Sequence, residues 1–310
     1  MTLKPITVDI SQYPAEFHEL LAGAKIYDSS CSSRARVVFI DRDAGYFLKS
    51  APPGALERQA AMTRYFHSIG LTSKVISYVP GRELVGATAL GRLCSHDVVS
   101  RRPGAVAPTI TEHIPGGDAE TRGAEDCASY ELDWLLTEQI PGDDCTAVKY
   151  LDQPKRLVDT IAEQLSLLHA TDFSACPIQN HTELSLATAK RNMQNGTYDK
   201  SHFPDSFGYK SPDEAWAVVE SQGQLLQNNT LLHGDYCLPN IILDSWRFSG
   251  FIDLDNGGVG DRHFDLFWLM WSLAWNLKTD KYRDRFLDAY GRGKVDDDIL
   301  RIVAAVEVFG

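Results

Sequence analysis

The sequence predicts an α+β protein of two lobes, an antiparallel sheet first and a mainly helical region after it. Residues 24–49 alternate apolar and polar side chains with period two, as half-buried strands do. After residue 154 the apolar residues recur every three or four positions, as helices require. At 310 residues the chain also exceeds the size at which one hydrophobic core usually stops growing. The lobes divide near residue 142, into an N-terminal lobe over 1–142 and a helical C-terminal lobe over 143–310.

Taken in order, Ala24 to Tyr27, Val37 to Ile40 and Tyr46 to Lys49 read as a meander, with a turn at Asp41 to Gly45. Between the first two strands, Asp28 to Ser33 is a small polar loop able to bring backbone N–H groups close to an anion. Ala55 to Ser68 has helical spacing, and Lys74 to Val79 is a further strand. From Pro80 to Leu132 Gly, Pro, Arg and Thr dominate without periodicity, so about 81–131 is an insertion between two neighbouring strands. Asp133 to Gln139 is a half-buried strand that Pro141 and Gly142 end. Pro154 to Ala170 sets Leu157, Ile161, Leu165 and Leu168 on one helical face, with proline in the first turn. Further helices are predicted around 184–194, 212–227, 264–276, 280–291 and 296–309, the third of these carrying a core-forming aromatic run at helical spacing, Phe264, Phe267, Trp268, Trp271 and Trp275.

A chain 44% hydrophobic and 23% charged is neither disordered nor collagen-like. Thirty Lys and Arg against 42 Asp and Glu leave a net charge of −12, which argues against nucleic acid or an anionic membrane as partner and favours a cationic ligand. The N-terminus lacks the basic and apolar regions of a secretory signal, and Phe264 to Trp275 is too short to span a bilayer, so a cytoplasmic location is expected. Six cysteines without a C-x-x-C pair indicate no zinc ribbon and no dithiol redox site.

The chemistry is carried by HGDYCLPN, His233 to Asn240, and by Phe251-Ile252-Asp253. Asp235 and Asn240 are five positions apart, and Asp253 lies thirteen beyond Asn240. These intervals match the catalytic-loop and metal-binding elements of kinases, with His-Gly-Asp in place of His-Arg-Asp and Ile-Asp-Leu in place of Asp-Phe-Gly. The spacing has a reason: one carboxylate must meet the substrate hydroxyl while an amide oxygen and a second carboxylate hold Mg²⁺ on the nucleotide phosphates. Lys49, closing the strand YFLK, is placed like the lysine that contacts the phosphates, and Glu57, early in the next helix, is placed to pair with it. His233 is read as holding the loop backbone rather than as a base. No G-x-x-x-x-G-K-[ST] or G-x-G-x-x-G is present, so other nucleotide-binding classes lose support. A hydrolase built on His233 and Asp235 would need further metal ligands that the sequence does not supply.

On these residues the chain resembles the aminoglycoside O-phosphotransferases, and within them the 3′-type kanamycin and neomycin kinases. The resemblance is densest over residues 233–266 and continues through DWLLTEQIPG, LSLLHATDFSACP and the strands around YDSSCSSRARVVFI and YFLK, leaving out only about 81–131. It implies a protein-kinase-like bilobal fold, ATP with Mg²⁺ as donor, and transfer to a hydroxyl, the 3′-OH, of an aminoglycoside antibiotic by a monomer or homodimer. By position, Asp235 would be the catalytic carboxylate, Asn240 and Asp253 the magnesium ligands, and Lys49 with Glu57 the phosphate-positioning pair. Ser30, Cys31 and Ser32 would lie in the nucleotide-positioning loop, while the Glu138 carbonyl and Ile140 N–H would meet adenine. Glu307, near the C-terminal VEVFG, matches a terminus that holds substrate amines. Asp261 and Arg262 complete the candidate substrate set, with loop and helix stabilisation as the competing role for Asp261 and Asp265. Asp199, Asp205, Asp213 and Glu214 are further candidate acids. The alternatives are a kinase for choline, a sugar, a macrolide or homoserine, and a silent binding module.

Overall fold

The computed structural model describes residues 4–30, 35–82, 132–199 and 207–310. Cys31, Ser32, Asp205 and nearly all of the insertion expected at 81–131 lie outside the described residues.

Among the described residues six strands form the N-terminal sheet: β1 (Lys4–Ile6), β2 (Lys25–Asp28), β3 (Arg36–Asp41), β4 (Tyr46–Ala51), β5 (Val75–Val79) and β6 (Asp133–Glu138). Their order is β1-β2-β3-β4-β6-β5, every neighbour antiparallel. The strands fall within two residues of the predicted ones, and β1 is added at the edge, where KPI is too short to show alternation. Period two sends Leu48 to one face, into a core with Tyr13, Phe17, Val38 and Ile40. Lys49 therefore goes to the other face, in register with Leu135. That second face packs on helix α2 (Glu57–Ser68) through Leu56, Ala60 and Leu135, after a single helical turn α1 (His18–Leu21) earlier in the chain.

Leu56 offers α2 no side-chain cap. Asp133, fully buried at the start of β6, supplies one from across the sheet: its carboxylate accepts from the Leu56 N–H (2.9 Å), the Gly81 N–H (2.7 Å) and the Tyr78 hydroxyl (3.3 Å). A buried carboxylate with three donors at a helix N-terminus is well placed electrostatically and fixes α2 to the sheet.

The C-terminal half holds α3 (Val148–Leu151), α4 (Pro154–His169), α5 (His181–Asn195), α6 (Pro212–Gln222), α7 (His263–Leu277), α8 (Arg283–Tyr290) and α9 (Asp297–Glu307). Small strands β7 (Asp143–Asp144), β8 (Thr230–Leu232), β9 (Ile241–Asp244), β10 (Arg247–Phe251) and β11 (Gly258–Gly260) pair as β10-β9-β7 and β11-β8. The predicted face of α4, Leu157, Ile161, Leu165 and Leu168, is buried throughout. It belongs to a core that also takes Met62 and Phe66 from α2, Tyr236 from the loop after β8 and Phe251 from the end of β10, so the two halves share apolar contacts. The helix expected at 212–227 ends earlier, at Gln222, and a short 3-10 turn follows at Gly223. In the aromatic run Phe264 and Trp268 are buried, whereas Trp275 emerges at the end of α7 and stacks on Trp271 (5.7 Å between centroids). Among the described residues no helix is long and apolar enough to cross a membrane.

Candidate active site

Two antiparallel pairs bring the motif residues together. The β9–β10 hairpin sets Ile241 opposite Phe251, and the Ile252 N–H donates to the Asn240 carbonyl (3.0 Å), which closes the thirteen-residue gap between Asn240 and Asp253. Its two-residue turn, Ser245 and Trp246, has φ of 52° and 69°, the positive pair that a tight hairpin needs. The β8–β11 pair then lays the loop after Leu232 beside the loop before Gly258.

Within this frame Asp235 and Asn240 are both buried, and Asn240 Nδ2 donates to the Asp235 carbonyl (2.9 Å) and to its Oδ2 (3.1 Å). The Asn240 amide is thereby oriented, and its Oδ1 accepts no hydrogen bond from the described residues. Asp253 sits in a left-handed conformation (φ 55°, ψ 60°), and its Oδ1 receives the Lys49 ammonium at 3.1 Å and Gln59 Nε2 at 3.4 Å. His233 is fully buried: its Nε2–H donates to the Ile252 carbonyl (3.0 Å) and its Nδ1 accepts from the Asp235 N–H (3.3 Å). That is the backbone-holding role the sequence indicated.

Gly234 explains why this motif has glycine where kinases have arginine. Its φ is +81°, and a Cβ there would lie 2.0 Å from the Asn256 carbonyl oxygen. The same carbonyl and that of Gly257 accept from Arg58 of α2 (3.1 and 2.9 Å), so the loop has little room to yield. Gly234→Ala is expected to lower stability by about 1–3 kcal/mol. Thermal denaturation checks this, and an unchanged midpoint would mean that the Asn256 backbone moves freely.

Behind the loop stands Asp265, fully buried in the first turn of α7. It accepts from the His233 N–H (2.9 Å), the Gly234 N–H (2.8 Å) and His169 Nε2 (3.1 Å), while His169 Nδ1 meets the Tyr290 hydroxyl at 2.8 Å. Burial pushes the His169 pKa below its usual value of 6.5, although the Asp265 carboxylate opposes the shift. Burial also pushes Tyr290 up to about 12. A neutral imidazole with Nε2–H toward Asp265 and Nδ1 accepting from the Tyr290 O–H satisfies every partner. As pH falls below about 6.5 the unfolded chain binds a proton at this histidine that the folded chain refuses, so its contribution to stability is lost in that direction. Urea midpoints should therefore decline from pH 7.5 to 5.5, and His169→Gln should flatten that decline. An equally steep decline in the variant would remove His169 as its source.

The remaining expected residues divide. Ser30 is exposed at the base of its loop, its N–H on Asp28 and its hydroxyl bridging the Val37 backbone. Glu138 closes β6 opposite Tyr46, and Ile140 is buried in the turn that follows, in the space beside Gly250. Glu307 is buried at the end of α9, which packs on α5, α6 and α7.

Three expectations need correction. Glu57 does not pair with Lys49 among the described residues; it faces solvent in the first turn of α2, while Lys49 reaches Asp253. Asp261 is not an open substrate group: it is buried and accepts from the Gln227 N–H, the His263 N–H and His263 Nδ1 (3.1, 3.0 and 2.6 Å). Burial alone would raise its pKa, yet the His263 and Gln227 donors outweigh it and hold the carboxyl below the usual value. Arg262 turns inward with it, toward the Thr230 and Tyr290 hydroxyls. Among the further acids, Glu214 is engaged at the start of α6, where it accepts from the Lys210 N–H and Ser211 caps its own N–H. Asp213 occupies the same first turn, and Asp199 ends a described segment.

A sheet lysine facing a loop carboxylate, beside a buried aspartate braced by an asparagine, defines the site of a kinase-like phosphotransferase. Residues 27–302 match the APH phosphotransferase enzyme family, and the chain belongs to that family. It is 41% identical over 310 residues, 99% of each chain, to a probable aminoglycoside 3′-phosphotransferase of Lactococcus lactis subsp. lactis. It is also 32% identical over 178 residues, 57% of this chain and 68% of the relative, to an aminoglycoside 3′-phosphotransferase of Niallia circulans. Among solved structures, an aminoglycoside-3′-phosphotransferase of type VIII superimposes with TM-score 0.66 at 20% identity, covering 97% of this chain and 96% of that one. An aminoglycoside phosphotransferase of Streptomyces rimosus, in complex with ADP and streptomycin, does so with TM-score 0.64 at 18% identity over 98% and 99% of the two chains. The fold is thus the kinase-like one that the sequence predicted.

Proposed function

We propose that this enzyme transfers the γ-phosphoryl group of ATP to the 3′-hydroxyl of an aminoglycoside in the cytoplasm and so confers resistance. The supporting observation is that Lys49, Asp235, Asn240 and Asp253 converge in a chain similar end to end to a probable aminoglycoside 3′-phosphotransferase. Asp235 orients the acceptor hydroxyl and takes its proton late, because a loose phosphoryl-transfer transition state asks for positioning more than for a strong base. Lys49 contacts the α- and β-phosphates. The donors at hand suit Mg²⁺: Asn240 spends its Nδ2 on Asp235 and keeps Oδ1 for a cation, and Asp253 adds a carboxylate, both hard oxygen ligands. Asn240 and Asp253 would hold the ion, which when bound supplies positive charge against the phosphates. The net charge of −12 favours a polycationic acceptor.

The test is ADP release by the purified protein with MgATP and kanamycin, neomycin, a 3′-deoxy aminoglycoside, choline or no acceptor. Turnover with kanamycin and not with the 3′-deoxy compound supports the reading. Turnover with choline alone, or none that depends on an acceptor, refutes it.

A further inference from the structure

The Asp253 oxygen that receives Lys49 also receives the amide of Gln59, from the buried face of α2. Helical phase accounts for this. Leu56, Gln59, Thr63 and Phe66 share the inward face, all of them buried, whereas Glu57 is two residues, about 200°, away from Gln59 and points to solvent. The other half of the amide is unspent: Gln59 Oε1 is buried and has no hydrogen-bond partner among the described residues. Buried carbonyl oxygens are rarely left so, and each such case calls for an explanation.

The helix bearing Gln59 is held against this loop from several directions. Asp133 caps its N-terminus, Arg58 donates to the Asn256 and Gly257 carbonyls, and the Gln59 carbonyl itself accepts from Thr63 Oγ1 (2.7 Å). The amide is therefore presented from a fixed backbone to the place where Lys49 and Asp253 meet.

We propose that Gln59 is a positioning residue for the Lys49–Asp253 pair, its Nε2 steadying the Asp253 carboxylate and its Oε1 accepting from the Lys49 ammonium when Asp253 turns to a metal. This rests on the phosphotransferase reading above. A neutral bridge differs chemically from a carboxylate at the same place. A glutamate would offset the lysine's charge and set a second anion beside Asp253, whereas the amide orients both groups and leaves the lysine's full charge for phosphates.

Calorimetric binding of MgADP, which needs no acceptor, tests the assignment on Gln59→Leu, Gln59→Glu and Glu57→Gln in the full chain, alongside thermal melting. Gln59→Leu should weaken MgADP on the order of tenfold, the scale of one hydrogen bond to a charged group. Gln59→Glu, of nearly the same shape, should shift the Mg²⁺ concentration that binding requires. Glu57→Gln should match the wild type in both. In steady-state assays the loss should appear in the KM for MgATP, with the KM for the acceptor unchanged. Wild-type MgADP affinity and Mg²⁺ dependence in Gln59→Glu would overturn the role even if Gln59→Leu failed to fold, as would weakened binding in Glu57→Gln. If the wild-type protein itself binds no MgADP, the phosphotransferase reading fails, an outcome distinct from loss of the Gln59 role alone.

Discussion

Replacing Asp235 with asparagine should leave MgADP binding intact and lower turnover by about two to four orders of magnitude, the usual contribution of a positioned proton acceptor. The substitution preserves the loop. Asn240 Nδ2 donates to the main-chain carbonyl of residue 235 as well as to its side-chain Oδ2, and an asparagine oxygen can take that second bond. Asp265 and His233 hold the neighbouring backbone independently of the Asp235 side chain. What disappears is the charge, and with it a site for the hydroxyl proton. The melting temperature is therefore expected to stay within a few degrees of wild type while kcat collapses. Single-turnover measurement with saturating MgATP checks this, and a variant within tenfold of the native rate would exclude Asp235 as the group that meets the acceptor.

The parts of the site legible in the sequence are those fixed by short-range geometry. Asp235 and Asn240 are brought together by one loop, and the interval to Asp253 is the length of one hairpin, so their spacing already encodes their meeting. Lys49 is legible because period two decides which sheet face it takes once Leu48 is assigned to the core. Glu57 has the charge and the early place in the helix that a partner of Lys49 needs, but helical phase decides which side chain faces the sheet, and the face marked by Leu56, Thr63 and Phe66 points to Gln59 instead. Asp261 and Arg262 are a different case. Whether a polar residue at the start of a helix faces a ligand or its own backbone depends on what packs behind it, here the neighbouring His263 together with Gln227, Thr230 and Tyr290 from two distant stretches of chain. The three-residue strands β8 and β11 carry too few residues for any period to register, yet their pairing sets the loop of Asp235 beside the loop that follows Asp253. Asp133 is the same kind of case: a strand residue by pattern, and the cap of a helix more than sixty positions earlier in the fold.

The largest loss of stability is expected from Asp265→Ala. That carboxylate is fully buried and is the acceptor for the His233 N–H, the Gly234 N–H and His169 Nε2–H. Each orphaned buried donor costs about 1–3 kcal/mol, so three of them amount to at least about 3 kcal/mol, a large share of the roughly 5–15 kcal/mol that holds a protein folded. Asp265→Asn should fall between, since one amide oxygen replaces two carboxylate oxygens and the NH₂ faces another donor. Chemical denaturation measures both, and a loss below about 1 kcal/mol in the alanine variant would show that the loop donors find other partners. The effect on catalysis follows from the connectivity. His233 joins this anchor to Ile252, and Gly234 rests on the Asn256 carbonyl that Arg58 also holds, so the backbone on which Asp235 and Asp253 stand is referred to α7 on one side and α2 on the other. Releasing Asp265 frees the α7 side of that frame, and turnover in Asp265→Asn should fall by more than its residual stability would explain.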